Sequence, residues 1–357
     1  MTTSKPMRRA LIFGGAGFVG SNLADMLLGS GAAQVHIYDN LTREGASENL
    51  RWLKQTHGSK LLKLTVKDVR DARVVRRAVE EADEIYHLAA QVAVTTSLRD
   101  PRQDFEVNLL GTFNVLEAIR RAGHRPFLLF TSTNKVYGQL RRAPDSAIQS
   151  RINEEQPLDF LSPYGCSKGA ADQYVRDYAR IYQIPSVVLR MSCIAGPHQH
   201  GNEDQGWVAH FLRSALSGQA VTIYGDGKQV RDVLYVGDLL EAIELIRLNL
   251  RLCAGQIYNI GGGAENAVSL LELMQLISTS TGKALHVSFA PGRTGDQPAY
   301  VTDYTKLHGH TGWRATTSVA ETLSKMQRWL QNKPALVQET PEQLENLVAT
   351  AATEVAA

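Results

Sequence analysis

Short apolar runs alternate with stretches of helical periodicity along the first half of the chain. Residues 10–13 form a continuous apolar run, too short for a helix, and read as a buried strand. Comparable runs follow at 34–38, 61–66, 84–89, 127–131 and 186–190. The intervals carry apolar positions at three- and four-residue spacing. This predicts helices over 21–28, 104–122 and 167–182. Strands alternating with helices predict an α/β fold, a Rossmann-type doubly wound parallel sheet covered on both faces.

Beyond Arg190 the alternation breaks up. Gly196-Pro197, Gly225-Asp-Gly227 and Gly261-Gly-Gly263 punctuate shorter elements. Residues 8–190 are therefore expected to form a large dinucleotide-binding domain, with a segment near 233–262 returning to its sheet, because 256–260 is strand-like. Residues 191–232 and 263–332 are expected to build a smaller C-terminal, substrate-binding lobe. Residues 333–357 have no glycine or aromatic residue and read as a peripheral tail, helical or frayed. No internal repeat is present.

The loop Gly14-Gly-Ala-Gly17-Phe18-Val19-Gly20 leaves the first strand and opens the first helix. In that position Gly14 permits a tight turn, Gly17 lets backbone approach a pyrophosphate, and Gly20 allows close helix packing. The helix N-terminus offers unpaired N–H groups to phosphates. Asp39 closes the second strand, followed by Asn40. A carboxylate there accepts hydrogen bonds from ribose hydroxyls and repels a 2′-phosphate, which predicts NAD rather than NADP. Arg43 nearby weakens that preference. Asp68 and Val69 end the third strand and should border the adenine. Leu88, Ala89 and Ala90 end the fourth and should pass beneath the cofactor.

Tyr164 and Lys168 are four apart and share one helical face. A phenol has a pKa near 10, and an adjacent ammonium with a positive nicotinamide ring would lower it. Action as a base near neutrality needs a depression of roughly three units, about 4 kcal/mol. Thr133, at the end of the fifth strand, is placed to hydrogen-bond the hydroxyl that reacts.

Composition narrows the alternatives. A formal net charge of +2 gives no reason to expect nucleic acid as a partner. No run of about 18 apolar residues occurs, so no membrane association is expected. The basic start of the chain is followed by an apolar run that ends at Gly14, too short for a signal-peptide core. The cysteines, Cys166, Cys193 and Cys253, have no zinc-ligand spacing. Reduced thiols in the cytoplasm are the simplest reading. No metal is expected: His198 and His200 read as a polar loop rim, and His87 as a packed strand-end residue.

Four stretches together resemble the extended short-chain dehydrogenase/reductases that modify nucleotide sugars. They are Gly14-x-x-Gly17-x-x-Gly20, His87-Leu-Ala-Ala90, Thr131-Ser-Thr133-Asn-Lys-Val-Tyr-Gly138 and Tyr164-x-x-x-Lys168. Within that group the chain is most similar to the CDP-tyvelose (CDP-paratose) 2-epimerases. The shared stretches include Gln91-Val-Ala-x-Thr-Thr-Ser97, Ser162-Pro-Tyr-Gly-Cys-Ser-Lys-Gly-Ala-Ala-Asp-Gln-Tyr174 and Asp204-Gln-Gly-Trp-Val208. The chain departs from many members at Ser192-Cys193 and at Ala195.

The resemblance implies a tightly held NAD, with Tyr164 as base, Lys168 lowering its pKa and holding ribose, and Thr133 assisting the substrate hydroxyl. Asn108, Thr131 and Cys193 join the implied cofactor surroundings. Arg231 and Arg293 would face the substrate pyrophosphate. Thr95, Thr96, Ser97, Asn134, Gln205, Trp207, Val208 and Tyr224 would line the rest of the substrate pocket. Dehydratases of the group carry a Thr-Asp-Glu triplet whose acids eliminate water. Here the triplet is Thr133-Asn134-Lys135, which lacks both acids and disfavours elimination. What remains is epimerisation by transient oxidation, with a CDP-hexose inverted at C2 as the implied substrate. A C4 epimerase or a net NAD-linked reductase is the alternative. The helices near 104–122 and 167–182 commonly form a dimer interface in such proteins, so a homodimer or higher homo-oligomer is expected.

Overall fold

The computed structural model describes residues 7–31, 33–58, 61–140 and 151–332; the expected tail at 333–357 lies outside them. Six strands alternate with helices through the first half. They are β1 (Arg8–Phe13), β2 (Ala33–Asp39), β3 (Leu61–Val66), β4 (Glu84–His87), β5 (Phe127–Thr133) and β6 (Ser186–Met191). Next come β7 (Cys193–Ala195), β8 (Val221–Tyr224) and β9 (Val230–Tyr235). Strand β10 (Ile257–Ile260) then returns to pair with β6. The main sheet is parallel, in the order β3-β2-β1-β4-β5-β6-β10. The order reverses between β1 and β4, which opens a crevice at the carboxyl ends of these strands.

Alternation along each strand sends side chains to two cores. Ala10 and Ile12 of β1 pack with Leu23 and Leu27 of α1 (Phe18–Gly29), Leu50 and Leu53 of α2 (Ala46–His57), and Leu239 and Ile243 farther along the chain. Leu11 and Phe13 pack on the other face. There they meet Val75 and Val79 of α3 (Ala72–Glu80) and side chains from two later helices.

The helices that follow α3 are α4 (Val94–Arg99), α5 (Pro101–Phe105), α6 (Gly111–Arg121) and α7 (Ser162–Tyr182). Val115 and Ile119 of α6 and Val175 of α7 join this second core. The single helix expected over 104–122 is in fact α5, a π-helical turn over Glu106–Leu110, and α6. A π turn inserts an extra residue that hydrophobic spacing does not reveal. It directs Asn108 into the interior.

Element ends also differ from expectation: β4 stops at His87, so Leu88, Ala89 and Ala90 follow the strand rather than end it. β5 runs on to Thr133 because Ser132 and Thr133 pair with Arg190 and Met191 of β6. α7 starts at Ser162, with Pro163 in its first turn, so Tyr164 and Lys168 occupy its first two turns. α1 starts at Phe18, which makes Gly20 a helical residue.

Beyond β9 the chain forms α9 (Val236–Leu248), while the smaller lobe contains α8 (Trp207–Ser217), β11 (Ala267–Ser269), β12 (Val287–Ala290) and β13 (Ala299–Tyr300). β9 pairs with β7, β11 and β13, and β8 with β12. Val208, Phe211 and Leu212 of α8 share a third core with Leu273, Ile277, Leu323 and Met326. Helix α9 instead packs on the main sheet, with Leu239, Ile243 and Ile246 in the first core.

Candidate active site

Two cavities open at the crevice. One, of about 520 Å³, runs along the glycine loop. The other, of about 340 Å³, lies between the main sheet and the smaller lobe. Thr133 and Tyr164 line both.

The groove is built by backbone. Gly14 has φ +79, and a Cβ on it would sit 2.8 Å from the Ala89 nitrogen. A Cβ on Gly20 would sit 2.1 Å from the Gly14 carbonyl oxygen, and one on Gly17 3.2 Å from the same atom. Helix α1 can therefore approach β1 only with glycine at position 20. Its first-turn N–H groups open onto the groove, which Gly17, Phe18, Val19 and Gly20 line. Gly20→Ala is expected to lose bound dinucleotide, because even a shift costing about 1.4 kcal/mol is tenfold in affinity. Nucleotide released from the denatured, purified variant measures this; wild-type content would refute the packing argument.

Asp39 is buried and accepts N–H bonds from Ala16 at 3.0 Å and Leu41 at 2.8 Å. Burial raises its pKa, and these backbone donors oppose the shift. Two oxygens have capacity for further donors such as ribose hydroxyls. Asn40 Nδ2 donates to Asp68 at 2.9 Å. Asn40, Asp68, Val69, Leu88, Ala89, Ala90 and Thr131 line the groove with Asp39. Ser132 Oγ, also in its wall, is buried without a hydrogen-bond partner. The glycine cradle, the helix terminus and this acid fit a dinucleotide.

Lys168 is buried at the groove wall. Its Nζ donates to the Thr131 carbonyl at 2.6 Å and lies 4.3 Å from the Phe130 ring centroid. Tyr164 N–H donates to Ser97 Oγ at 3.2 Å, and the phenol hydrogen-bonds Thr133. Burial pushes Tyr164 up to about 12; the Thr133 bond pulls it down, Asp104 pushes it up, and Arg43 pulls it down. Burial pushes Lys168 down to about 7, against the pull of Asp172 and Asp104.

The expected depression of the phenol by Lys168 is therefore absent from the chain alone. In the chain alone burial sets both shifts, favouring the neutral phenol and the neutral amine. Burial outweighs the neighbours, and the missing positive charge has to arrive with the oxidised cofactor.

Behind the pair sits a buried polar hub. Asn108 Nδ2 donates to the Gln91 carbonyl (3.0 Å), Asp104 Oδ1 (3.1 Å) and Ser167 Oγ (3.1 Å), and Asn108 Oδ1 accepts from Gln91 N–H (2.9 Å). Ser167 Oγ donates to Asp104 Oδ2 at 2.5 Å. The hub ties the loop after β4 to the helix that carries Tyr164 and Lys168. His87 is packed beside it, its Nε2 3.0 Å from Thr112 Oγ1, and burial holds its pKa down at about 3.

Thr95, Asn134, Gln205, Trp207, Tyr224, Arg231 and Arg293 line the second cavity. Five expected positions fall elsewhere. Asn108 lies behind the groove, in the hub. Cys193 faces the second cavity rather than the cofactor groove, and its Sγ accepts from Trp207 Nε1 at 2.9 Å. Thr96 lines the groove. Ser97 is buried beneath Tyr164, and Val208 is buried in the lobe's core. For the last two, neighbouring residues on a helix point to different sides, so a shared motif does not mean a shared surface.

Other lining residues escaped sequence reasoning. Gln199, Asp296 and Gln229 lie on connections or element edges with no periodic signal. Arg43, noted only for its charge, reaches across the groove to hydrogen-bond Gln205. Thr95 Oγ1, His210 Nδ1 and Gln229 Oε1 are buried in the second cavity without partners. Such atoms favour a polar ligand there.

Residues 11–326 match the family model described as GDP-mannose 4,6-dehydratase. The chain belongs to that family. It is an extended short-chain dehydrogenase/reductase family. CDP-paratose 2-epimerase of Salmonella typhi is 39% identical over 343 residues, covering 90% of this chain and 98% of that protein. Among solved structures, Thermus thermophilus UDP-glucose 4-epimerase in complex with NAD is 34% identical, with a TM-score of 0.79 and coverage of 91% and 100%. The Streptomyces venezuelae dTDP-glucose 4,6-dehydratase DesIV, with NAD bound, is 31% identical, with a TM-score of 0.81 and coverage of 91% and 97%. The family member described here is an NAD-dependent enzyme with the Rossmann architecture of these relatives. Among its described residues, no helix is long and apolar enough to cross a membrane.

Proposed function

We propose that the protein epimerises a nucleotide-activated hexose, inverting C2 of a CDP-sugar through a transient ketone. The observation that carries this reading is the junction of the two cavities. Thr133 and Tyr164 stand there, with Asn134 and Lys135 in the positions where elimination would need two acids.

Bound NAD supplies the acceptor for the carbon-bound hydride and its donor on return. Tyr164 takes the proton of the reacting hydroxyl and gives it back to the inverted oxygen. Thr133 Oγ1 orients that hydroxyl, and Lys168 holds the cofactor side of the cleft. Arg231 and Arg293 bind the diphosphate. Asn108 keeps α7 in register with the loop after β4. The likeness to CDP-paratose 2-epimerase supports C2 and cytidine. The likeness to UDP-glucose 4-epimerase supports C4 as the second reading, with the sugar turned to present a different carbinol to the same pair.

Incubation with a panel of nucleotide sugars, in deuterated water and without added NAD, tests the scheme. Inversion of a CDP-hexose at C2 without solvent deuterium in the product is expected. Deuterium incorporation would establish enolisation instead, and a requirement for added NADH would establish a net reductase.

Leu110, Phe113, Tyr174, Ile181 and Tyr182 are exposed apolar side chains on the π turn, α6 and α7. We propose that this face pairs with a second copy, and that the enzyme works in the cytoplasm with its three thiols free. Light scattering at micromolar concentration should give about twice the 39.3 kDa chain mass; the mass of one chain would reject the pairing.

A further inference from the structure

The proposed reaction leaves Lys135 without a task. It follows β5 in a 3₁₀ turn (Asn134–Tyr137), and its own N–H donates to Thr133 Oγ1 at 3.2 Å. The base of its side chain is thereby fixed beside the hydroxyl that faces substrate. Its Nζ donates to the Gly295 carbonyl at 3.2 Å and lies 3.6 Å from Asp296 Oδ1. Arg231 Nη2 holds that same carboxylate oxygen more closely, at 2.6 Å. One carboxylate thus serves two cations.

An ammonium carries three N–H donors. One is spent on a long bond to a carbonyl, and 3.6 Å is beyond hydrogen-bond reach. At least one donor remains for whatever fills the second cavity, whose wall includes Lys135, Thr133, Tyr164 and Arg231. The partnerless Thr95 Oγ1 in the same wall also points to a ligand with hydroxyl groups.

We propose that Lys135 is a specificity-determining residue, whose ammonium donates to a sugar oxygen of the bound nucleotide sugar. The inference rests on the nucleotide-sugar reading and names the group that senses the sugar. Its place in the wall favours the sugar over the diphosphate. The Lys135 N–H bond to Thr133 Oγ1 sets the base of its side chain beside the reacting hydroxyl; of the two arginines assigned to the diphosphate, Arg231 shares Asp296 with it and Arg293 stacks on Tyr224, 3.8 Å from its ring centroid. Burial and Arg231 push Lys135 down to about 8, and Asp296 pulls it up. Tyr164 faces it from α7 and is held up by burial in the cofactor-free chain; with cofactor bound its titration is common to wild type and Lys135→Arg, so the difference between the two reads Lys135. The contact is therefore full below about pH 8 and fades above it.

Calorimetric titration of the NAD-loaded enzyme with CDP and with CDP-glucose tests this. Lys135→Met should weaken CDP-glucose about tenfold or more and leave CDP unchanged, since a hydrogen bond from a charged group is worth that much. Wild-type affinity for CDP-glucose should fall between pH 7 and pH 9, and Lys135→Arg should abolish that fall. The arginine variant keeps the test valid if the methionine variant loses NAD or misfolds. Equal loss of CDP and CDP-glucose, or no loss of either, overturns the role of Lys135. If wild type binds neither ligand at all, the cytidine nucleotide-sugar reading itself falls and takes this inference with it.

Discussion

Replacing Tyr164 by Phe is expected to lower kcat by about 10²- to 10⁴-fold, the usual contribution of a positioned acid–base group. The bound NAD content should not change. The substitution removes one oxygen and leaves the ring, which packs in the wall shared by both cavities. The backbone N–H bond to Ser97 Oγ survives, as does the Lys168 bond to Thr131. KM should therefore move little compared with kcat, the pattern of an interaction made in the transition state.

The pH profile gives a second readout. A base acts in its deprotonated form, and burial places the phenol at about 12 in the cofactor-free chain. Wild-type kcat should therefore rise with pH on its acid limb. The midpoint lies well below 12 only because the oxidised cofactor adds positive charge to the cleft. The phenylalanine variant should lose that limb. Wild-type turnover in Tyr164→Phe, measured on whichever nucleotide sugar the panel identifies, would remove the phenol from the mechanism.

The two halves of the site differ in how plainly the chain declares them. The cofactor groove was legible because its constraints are local. Gly14 needs positive φ, and Gly20 has no room for a side chain against the Gly14 carbonyl, so both requirements fall within one strand–helix turn. The four-residue spacing of Tyr164 and Lys168 also survives folding, because one helix carries both.

The substrate side was harder to read for the opposite reason. Its wall is assembled from residues far apart in sequence, such as Lys135 and Asp296, and no periodicity links them. Spacing could not show that Val208 points into the lobe's core while Trp207, one residue earlier, lines the cavity. Nor could it show the π turn at Glu106–Leu110, which turns Asn108 inward to brace the catalytic helix. Four-residue spacing also does not show whether Lys168 is charged, because burial pushes its ammonium down and Asp172 and Asp104 pull it up.

That last point makes Asp172 the position with the largest structural effect. It lies one turn beyond Lys168 on α7 and forms a bidentate pair with Arg190, Nε to Oδ2 at 2.8 Å and Nη2 to Oδ1 at 3.0 Å. Both side chains are buried, at 3% and 0% exposure. Arg190 Nη1 also donates to the Tyr137 hydroxyl at 3.0 Å, which donates to Asn259 Oδ1 at 2.7 Å. The network thus joins α7, β6, the turn after β5, and β10. Asp172→Asn leaves a buried guanidinium uncompensated and should cost about 3–5 kcal/mol in urea denaturation.

The same change removes the strongest influence that keeps Lys168 charged, so its pKa falls below about 7. A lysine is charged only below its pKa, so the alkaline loss of activity should move toward acid pH. The double variant Asp172→Asn/Arg190→Met separates the two effects. Removing the orphaned cation should recover much of the stability, while Lys168 still lacks its anion and the acid shift of the pH profile persists. A single variant within about 1 kcal/mol of wild type, the range of an exposed pair, would show that the ion pair is not what holds α7 to the sheet. A pH profile restored by the double variant would show that Asp172 does not set the charge of Lys168.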